Sequence, residues 1–89
     1  MSGAADPALD ALMTAVAPLC RGVPVGPDTP LLSSGLVGSL ELARLLALLE
    51  ARFGAAPELA DVGADNFDTP RQMRALLAAT PGSALPGST

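Results

Sequence analysis

Ser39 stands between Gly38 and Leu40 at the mouth of an apolar run, LVGSLELARLL over residues 36–46. A serine at the start of a helix is exposed. Its oxygen lies near the positive end of the helix dipole, where added negative charge is tolerated. Serine is a poor nucleophile unless a base activates it. The chain has no histidine and a single cysteine. A Ser-His-Asp or Cys-His arrangement cannot be assembled, nor can the usual zinc sets. Any hydrolase chemistry at Ser39 would need an unusual base, and self-contained catalysis is not expected. The plain alternative for Ser39 is an ordinary helix cap, a role serine fills well. Ser33 and Ser34 are rivals by composition, but neither directly precedes a helix, and both read as turn formers. Cys20 reads as a small core residue on an apolar helix face.

The elements around Ser39 follow from the spacing of apolar residues and from the breakers. Asp6-Pro7 is a cap followed by proline at the first helical position. Leu9, Met13, Val16 and Cys20 then recur at helical spacing, with Leu12 and Leu19 beside them. Pro18 is expected to end or kink this helix near Ala17. Residues 21–37, RGVPVGPDTPLLSSGLV, hold three prolines and three glycines. They predict a long ordered loop tacked to the core by Leu31, Leu32 and Leu36, with Gly35 in a backbone conformation other residues avoid. A loop this long in a small domain is usually functional.

The second helix is expected from Ser39 to Phe53, stopped by Gly54. Leu42, Leu45, Leu46, Leu49 and Phe53 fall on one side of it, the core stripe. Leu40, Glu41, Arg44, Ala47 and Leu48 fall roughly opposite. ELADVGADNFD, residues 58–68, carries four acids and no base; it reads as a loop with a short helical turn, Val62 and Phe67 packing inward. Thr69-Pro70 repeats the cap-plus-proline start, and Met73, Leu76 and Leu77 mark a last helix ending near Thr80. The resulting fold class is all-α, a small four-helix bundle of three main helices and one short one. Residues 1–5 are expected to be flexible, 6–80 to form the domain, and 81–89 to be a disordered tail.

Composition agrees. Hydrophobic residues make up 49% of the 89-residue chain, so a folded core is expected, and isoleucine, tyrosine and tryptophan are absent. Nine acids face five bases, all arginine, for a formal net charge of −4. A nucleic-acid binder shows a basic stripe, which this sequence lacks. With no apolar run near 18 residues and no signal-peptide pattern, a cytoplasmic protein without membrane contact is expected.

These residues, taken together, resemble the core of acyl and peptidyl carrier proteins. In that family an acidic, Leu-rich loop leads to a Gly-Leu-x-[Asp/Gly]-Ser-[Leu/Met] motif, and the helix that follows closes on Glu-x-x-[Phe/Leu]-Gly. The matching positions are Asp28, Leu31, Gly35, Leu36, Ser39, Leu40, Glu50, Phe53 and Gly54. The downstream ADNFDTPRQMRALL looks most like freestanding D-alanyl or other aminoacyl carrier proteins. The resemblance spans roughly residues 8–79. It implies that Ser39 receives 4′-phosphopantetheine from coenzyme A through a phosphopantetheinyl transferase, which would supply the base and Mg²⁺. The terminal thiol of that cofactor would hold an acyl or aminoacyl group as a thioester and present it to other enzymes. The implied partners are that transferase, an adenylating or acyl-loading enzyme, and a downstream acyltransferase or condensing enzyme. A monomer is expected.

The chain departs from the family in two places. Gly38 stands where most carriers have aspartate, which removes a carboxylate beside the attachment site and leaves room for a dedicated transferase. The second helix is also less acidic than is typical: Glu41 and Glu50 are balanced by Arg44 and Arg52. The partner surface is then expected at Gly38, Leu40, Glu41, Arg44, Ala47 and Leu48, with Arg44 and Glu41 setting register. The leading expectation is a stand-alone carrier in natural-product biosynthesis. The alternative is an unmodified helical interaction module that uses the same fold and the Leu40/Leu48 face only to bind a protein.

Overall fold

The computed structural model describes residues 6–84. Among them there are three α-helices, two short 3₁₀ turns and no strand. Helix α1 runs Pro7–Val16, with the Asp6 carboxylate accepting the Leu9 N–H at 3.1 Å. It buries Ala8, Leu9, Leu12, Ala15 and Val16. Met13, expected on the core stripe, is only half-buried. Pro18 lacks an N–H and cannot continue the ladder, so the chain tightens into a 3₁₀ turn at Ala17–Cys20. Cys20 is buried and its thiol donates to the Val16 carbonyl at 3.4 Å. Burial pushes that thiol's pKa up, as suits an inert core cysteine.

The long connection that follows is free of helix through Gly38, as expected. Leu31 and Val37 are buried, and the Val37 N–H donates to the Leu31 carbonyl at 2.9 Å. Leu32 and Leu36 pack against the core from its edge. Gly35 has φ 80°, the left-handed conformation expected of it.

Helix α2 is Ser39–Phe53, and Gly54 at φ 84° ends it. Leu45, Leu49 and Phe53 are buried, flanked by the half-buried Leu42 and Leu46. Helix α3 is Pro70–Ala78, started by a reciprocal cap: Thr69 Oγ1 accepts the Gln72 N–H at 3.2 Å, and Gln72 Oε1 accepts the Thr69 N–H at 3.1 Å. Helix α1 packs on both α3 and α2. The core is completed by Leu31, Phe67, Met73 and Leu77, all fully buried.

The short helical turn expected within residues 58–68 is present as a single 3₁₀ turn, Leu59–Asp61; Pro57 and Gly63 bracket it too closely for an α-helical nucleus to propagate. One expectation is corrected. The tail was expected to be disordered from residue 81. Residues 81–84 instead fold back: the Ala84 N–H donates to the Phe53 carbonyl at 2.7 Å, and Ser83 Oγ donates to the Leu77 carbonyl at 2.7 Å. The first satisfies a carbonyl at the end of α2, and the second adds to the Leu77 carbonyl, which also accepts the Thr80 N–H at 3.0 Å. The expected flexible N-terminus, residues 1–5, and the end of the tail, 85–89, lie outside the described residues. Among the described residues no helix is long and apolar enough to cross a membrane.

Candidate functional site

The start of α2 is built by its neighbours. Asp68, two residues before Pro70, accepts the backbone N–H groups of Leu31, Leu32 and Ser33 at 3.1, 2.7 and 2.8 Å on one oxygen. Its other oxygen accepts the Ser33 hydroxyl at 2.6 Å. Its backbone carbonyl also accepts the Leu31 N–H, at 2.8 Å. Partial burial works against the charge of Asp68. The Ser33 hydroxyl and the three N–H groups outweigh it, and the carboxyl is held below the usual range. Arg71 adds a second tie, with Nε and Nη2 on the two oxygens of Asp28 at 2.9 and 3.2 Å. Helix α3 thus fixes the loop, and the loop delivers Val37, Gly38 and Ser39 in a set direction.

The two rival serines are occupied. Ser33 is bound to Asp68. Ser34 Oγ donates to the Pro30 carbonyl at 2.6 Å and accepts the Leu36 N–H at 3.2 Å. Both are turn formers, as expected.

Ser39 is different. The cap of α2 is Gly38, with extended backbone at φ −88° and ψ −172°, and Ser39 is the first helical residue. The ordinary-cap reading of Ser39 is therefore corrected: a residue at this position does not direct its oxygen to the orphan N–H groups of its own helix. Ser39 is exposed, and among the described residues its hydroxyl makes no hydrogen bond. Among the described residues the one side-chain capping contact at Gly38 comes from Glu41, whose Oε1 accepts the Gly38 N–H at 3.0 Å. Glycine has no side chain to return the bond, so this is half of a capping box. The other Glu41 oxygen lies 3.9 Å from Arg21 Nη2. A carboxylate is thus held beside the serine even though residue 38 has none.

Of the remaining expected surface residues, Leu40 is 61% exposed, and Arg44 and Ala47 are exposed. Leu48 and Glu41 are half-buried, because both lie on the flank of α2 next to the buried Leu45. Arg44 and Glu41 do not pair; Glu41 turns back toward Gly38 and Arg21. Leu40, Arg44 and Ala47 therefore share one open face, and Gly38, Ser39 and Glu41 form its N-terminal edge.

Sequence reading missed Arg21. It follows the 3₁₀ turn with φ 56°, the one non-glycine residue with positive φ among those described. Its pairing with a residue twenty positions away carries no local signal. The neighbouring Gly22 is the only hint that the chain reverses there.

Arg21 also edges an open groove of about 490 Å³ walled by Val23, Thr29, Pro30, Ser34 and Leu36. Among the described residues no group of three or more metal-ligating side chains comes together. Comparison of the chain with family models, with curated proteins and with solved structures gives no match.

Proposed function

We propose that this protein is a carrier of the acyl or peptidyl type, modified on Ser39 with 4′-phosphopantetheine, its three helices and second 3₁₀ turn arranged as that family's four-helix bundle. The observation that carries the reading is the state of Ser39. Its hydroxyl lies open at the first position of a fifteen-residue helix, while its neighbours Ser33 and Ser34 are spent on the loop. A serine that neither caps nor packs is free to be a substrate.

The surroundings fit the group. Ser39 Oγ takes the phosphopantetheine of coenzyme A as a phosphodiester; the pyrophosphate P–O bond breaks, 3′,5′-ADP leaves, and the hydroxyl proton passes to a base on the transferase. The new negative charge sits at the N-terminal end of α2, where the helix dipole favours it. Once bound, the group supplies a thiol that holds acyl or aminoacyl cargo as a thioester. The chain's own residues hold the site: Asp68 and Arg71 fix the loop, Gly38 starts the helix, and Leu40, Arg44 and Ala47 offer a surface to the transferase, the loading enzyme and the downstream acyltransferase or condensing enzyme.

The test is incubation with coenzyme A and a broad-specificity phosphopantetheinyl transferase, followed by intact mass. The expected result is a gain of one phosphopantetheine that disappears in Ser39→Ala. Absence of a gain with every transferase tried overturns the reading and favours an unmodified interaction module that binds through exposed Leu40.

A further inference from the structure

The loop groove edged by Arg21 has the lining and charge to receive what Ser39 carries. Its wall residue Leu36 is three positions before Ser39, so at most about 10 Å of backbone separates the two residues. Its volume, about 490 Å³, falls in the range of small-molecule sites, roughly 300–1,000 Å³. Val23, Pro30 and Leu36 make it largely apolar, and the hydroxyls of Thr29 and Ser34 on its wall are already engaged with the loop backbone at Gly26, Pro30 and Leu36. Val23 is 44% exposed, a large apolar side chain on a loop with nothing over it among the described residues.

Arg21 stands between the groove and the helix start. It lines the groove and its guanidinium approaches Glu41, which in turn holds Gly38. The Arg21–Glu41 separation of 3.9 Å, with Arg21 67% exposed, is a loose pair. A phosphodiester on Ser39 would stand close to the Glu41 carboxylate and repel it. Arg21 is the nearby cation that can answer both charges.

Resting on the carrier reading, we infer that the arm attached to Ser39 docks in this loop groove, its phosphodiester facing Arg21 and its geminal methyl groups lying on Val23 and Leu36. The core offers the arm no comparable seat: Leu45, Leu49, Phe67, Met73 and Leu77 are closed over one another and fully or almost fully buried. The occupant is tethered, so the groove need bind it only weakly, because the link to Ser39 supplies a high effective concentration.

The experiment is isotope-filtered NMR on the full chain, labelled and then modified with unlabelled coenzyme A, with intact mass read on the same sample. Expected are contacts from the arm's methyl protons to the methyls of Val23 and Leu36, and amide shifts at Thr29, Ser34 and Leu36. On molecules that carry the mass gain, Arg21→Glu is expected to cut these contacts about fivefold, the size of an exposed ion-pair effect; Arg21→Lys retains them. A mass gain with shifts confined to residues 38–42 overturns the docking and leaves the carrier reading standing. Contacts unchanged in Arg21→Glu overturn the role of Arg21. No mass gain overturns both readings.

Discussion

The Glu41 carboxylate reaches back one turn to the backbone of Gly38, accepting its N–H at 3.0 Å, and a Cβ on residue 38 would meet that same oxygen at 2.9 Å. One short stretch thus has a single carboxylate and a single place for it. The glycine is tolerated because Glu41 caps from the far side of the turn, and Glu41 is held there because the glycine leaves the space.

Gly38→Asp is therefore expected to be accommodated. The backbone at residue 38 is extended, open to any residue, and the obstructing atom is the end of a flexible side chain. The new carboxylate can accept N–H groups of the first turn, and the unfolded chain loses freedom. A gain of about 0.5–1 kcal/mol is expected, or several degrees in Tm for a domain of this size. Thermal melts of the variant check it. A drop in Tm would show that the Glu41–Gly38 contact contributes more than a direct cap.

Leu40 and Leu45 separate surface from core on one helix. Leu45 is fully buried and Leu40 is 61% exposed. Leu45→Ala is expected to cost about 2–5 kcal/mol, and Leu40→Ala to stay within about 0.5 kcal/mol. Urea unfolding measures both. On the carrier reading, Leu40→Ala and Arg44→Glu lower the rate of loading or transfer several-fold with stability unchanged. Unaltered kinetics would remove this face from the partner surface.

Asp68 is expected to be the acid-sensitive tie of the fold. Its carboxyl titrates lower in the folded chain than in the unfolded one. The stability it contributes is fully present above the unfolded carboxylate range, near pH 4, and is lost as pH falls through the lower folded value. Asp6, held low by the Leu9 N–H and then by Arg74, and Asp28, held low by Arg71, act in the same direction. Asp68→Ala leaves the N–H groups of Leu32 and Ser33 without their acceptor and is expected to cost about 2 kcal/mol. The variant is also expected to lose stability less steeply below pH 4 than the parent. An unchanged slope would mean that other carboxylates carry the acid response.

Much of this was legible in the sequence, for physical reasons that differ by element. Helix α2 was readable to the residue because glycines bound it on both sides and its leucines recur at helical spacing. Helix α3 was readable from Thr69-Pro70, where cap and fixed φ coincide. The loop 21–37 was readable as a loop from its prolines and glycines, but the Asp68 clamp was not. It joins residues more than thirty positions apart, and sequence spacing carries no record of such pairs. The same holds for Arg21 with Glu41. The folded-back residues 81–84 were misread because Pro, Gly and Ser favour disorder in general, while here they form a turn that bonds to carbonyls at the ends of α2 and α3.

Gly54 ties that turn to the helix end. Its φ is 84°, and a Cβ there would come within 3.2 Å of the Gly82 carbonyl oxygen. Gly54→Ala is expected to lower stability by about 1–2 kcal/mol, from the left-handed backbone and the backbone contact together. Melting of the variant checks it, and a neutral result would mean that residues 81–84 move aside freely.

The central claim is that the Ser39 hydroxyl is a site of modification and has no part in holding the fold. The most direct measurement is intact mass after treatment with coenzyme A and transferase, taken on the parent chain, Ser39→Ala and Ser33→Ala, beside their melting temperatures. The account predicts one added phosphopantetheine on the parent and on Ser33→Ala, none on Ser39→Ala, and a lowered Tm for Ser33→Ala alone. No addition to the parent, or an addition that persists in Ser39→Ala, would contradict it.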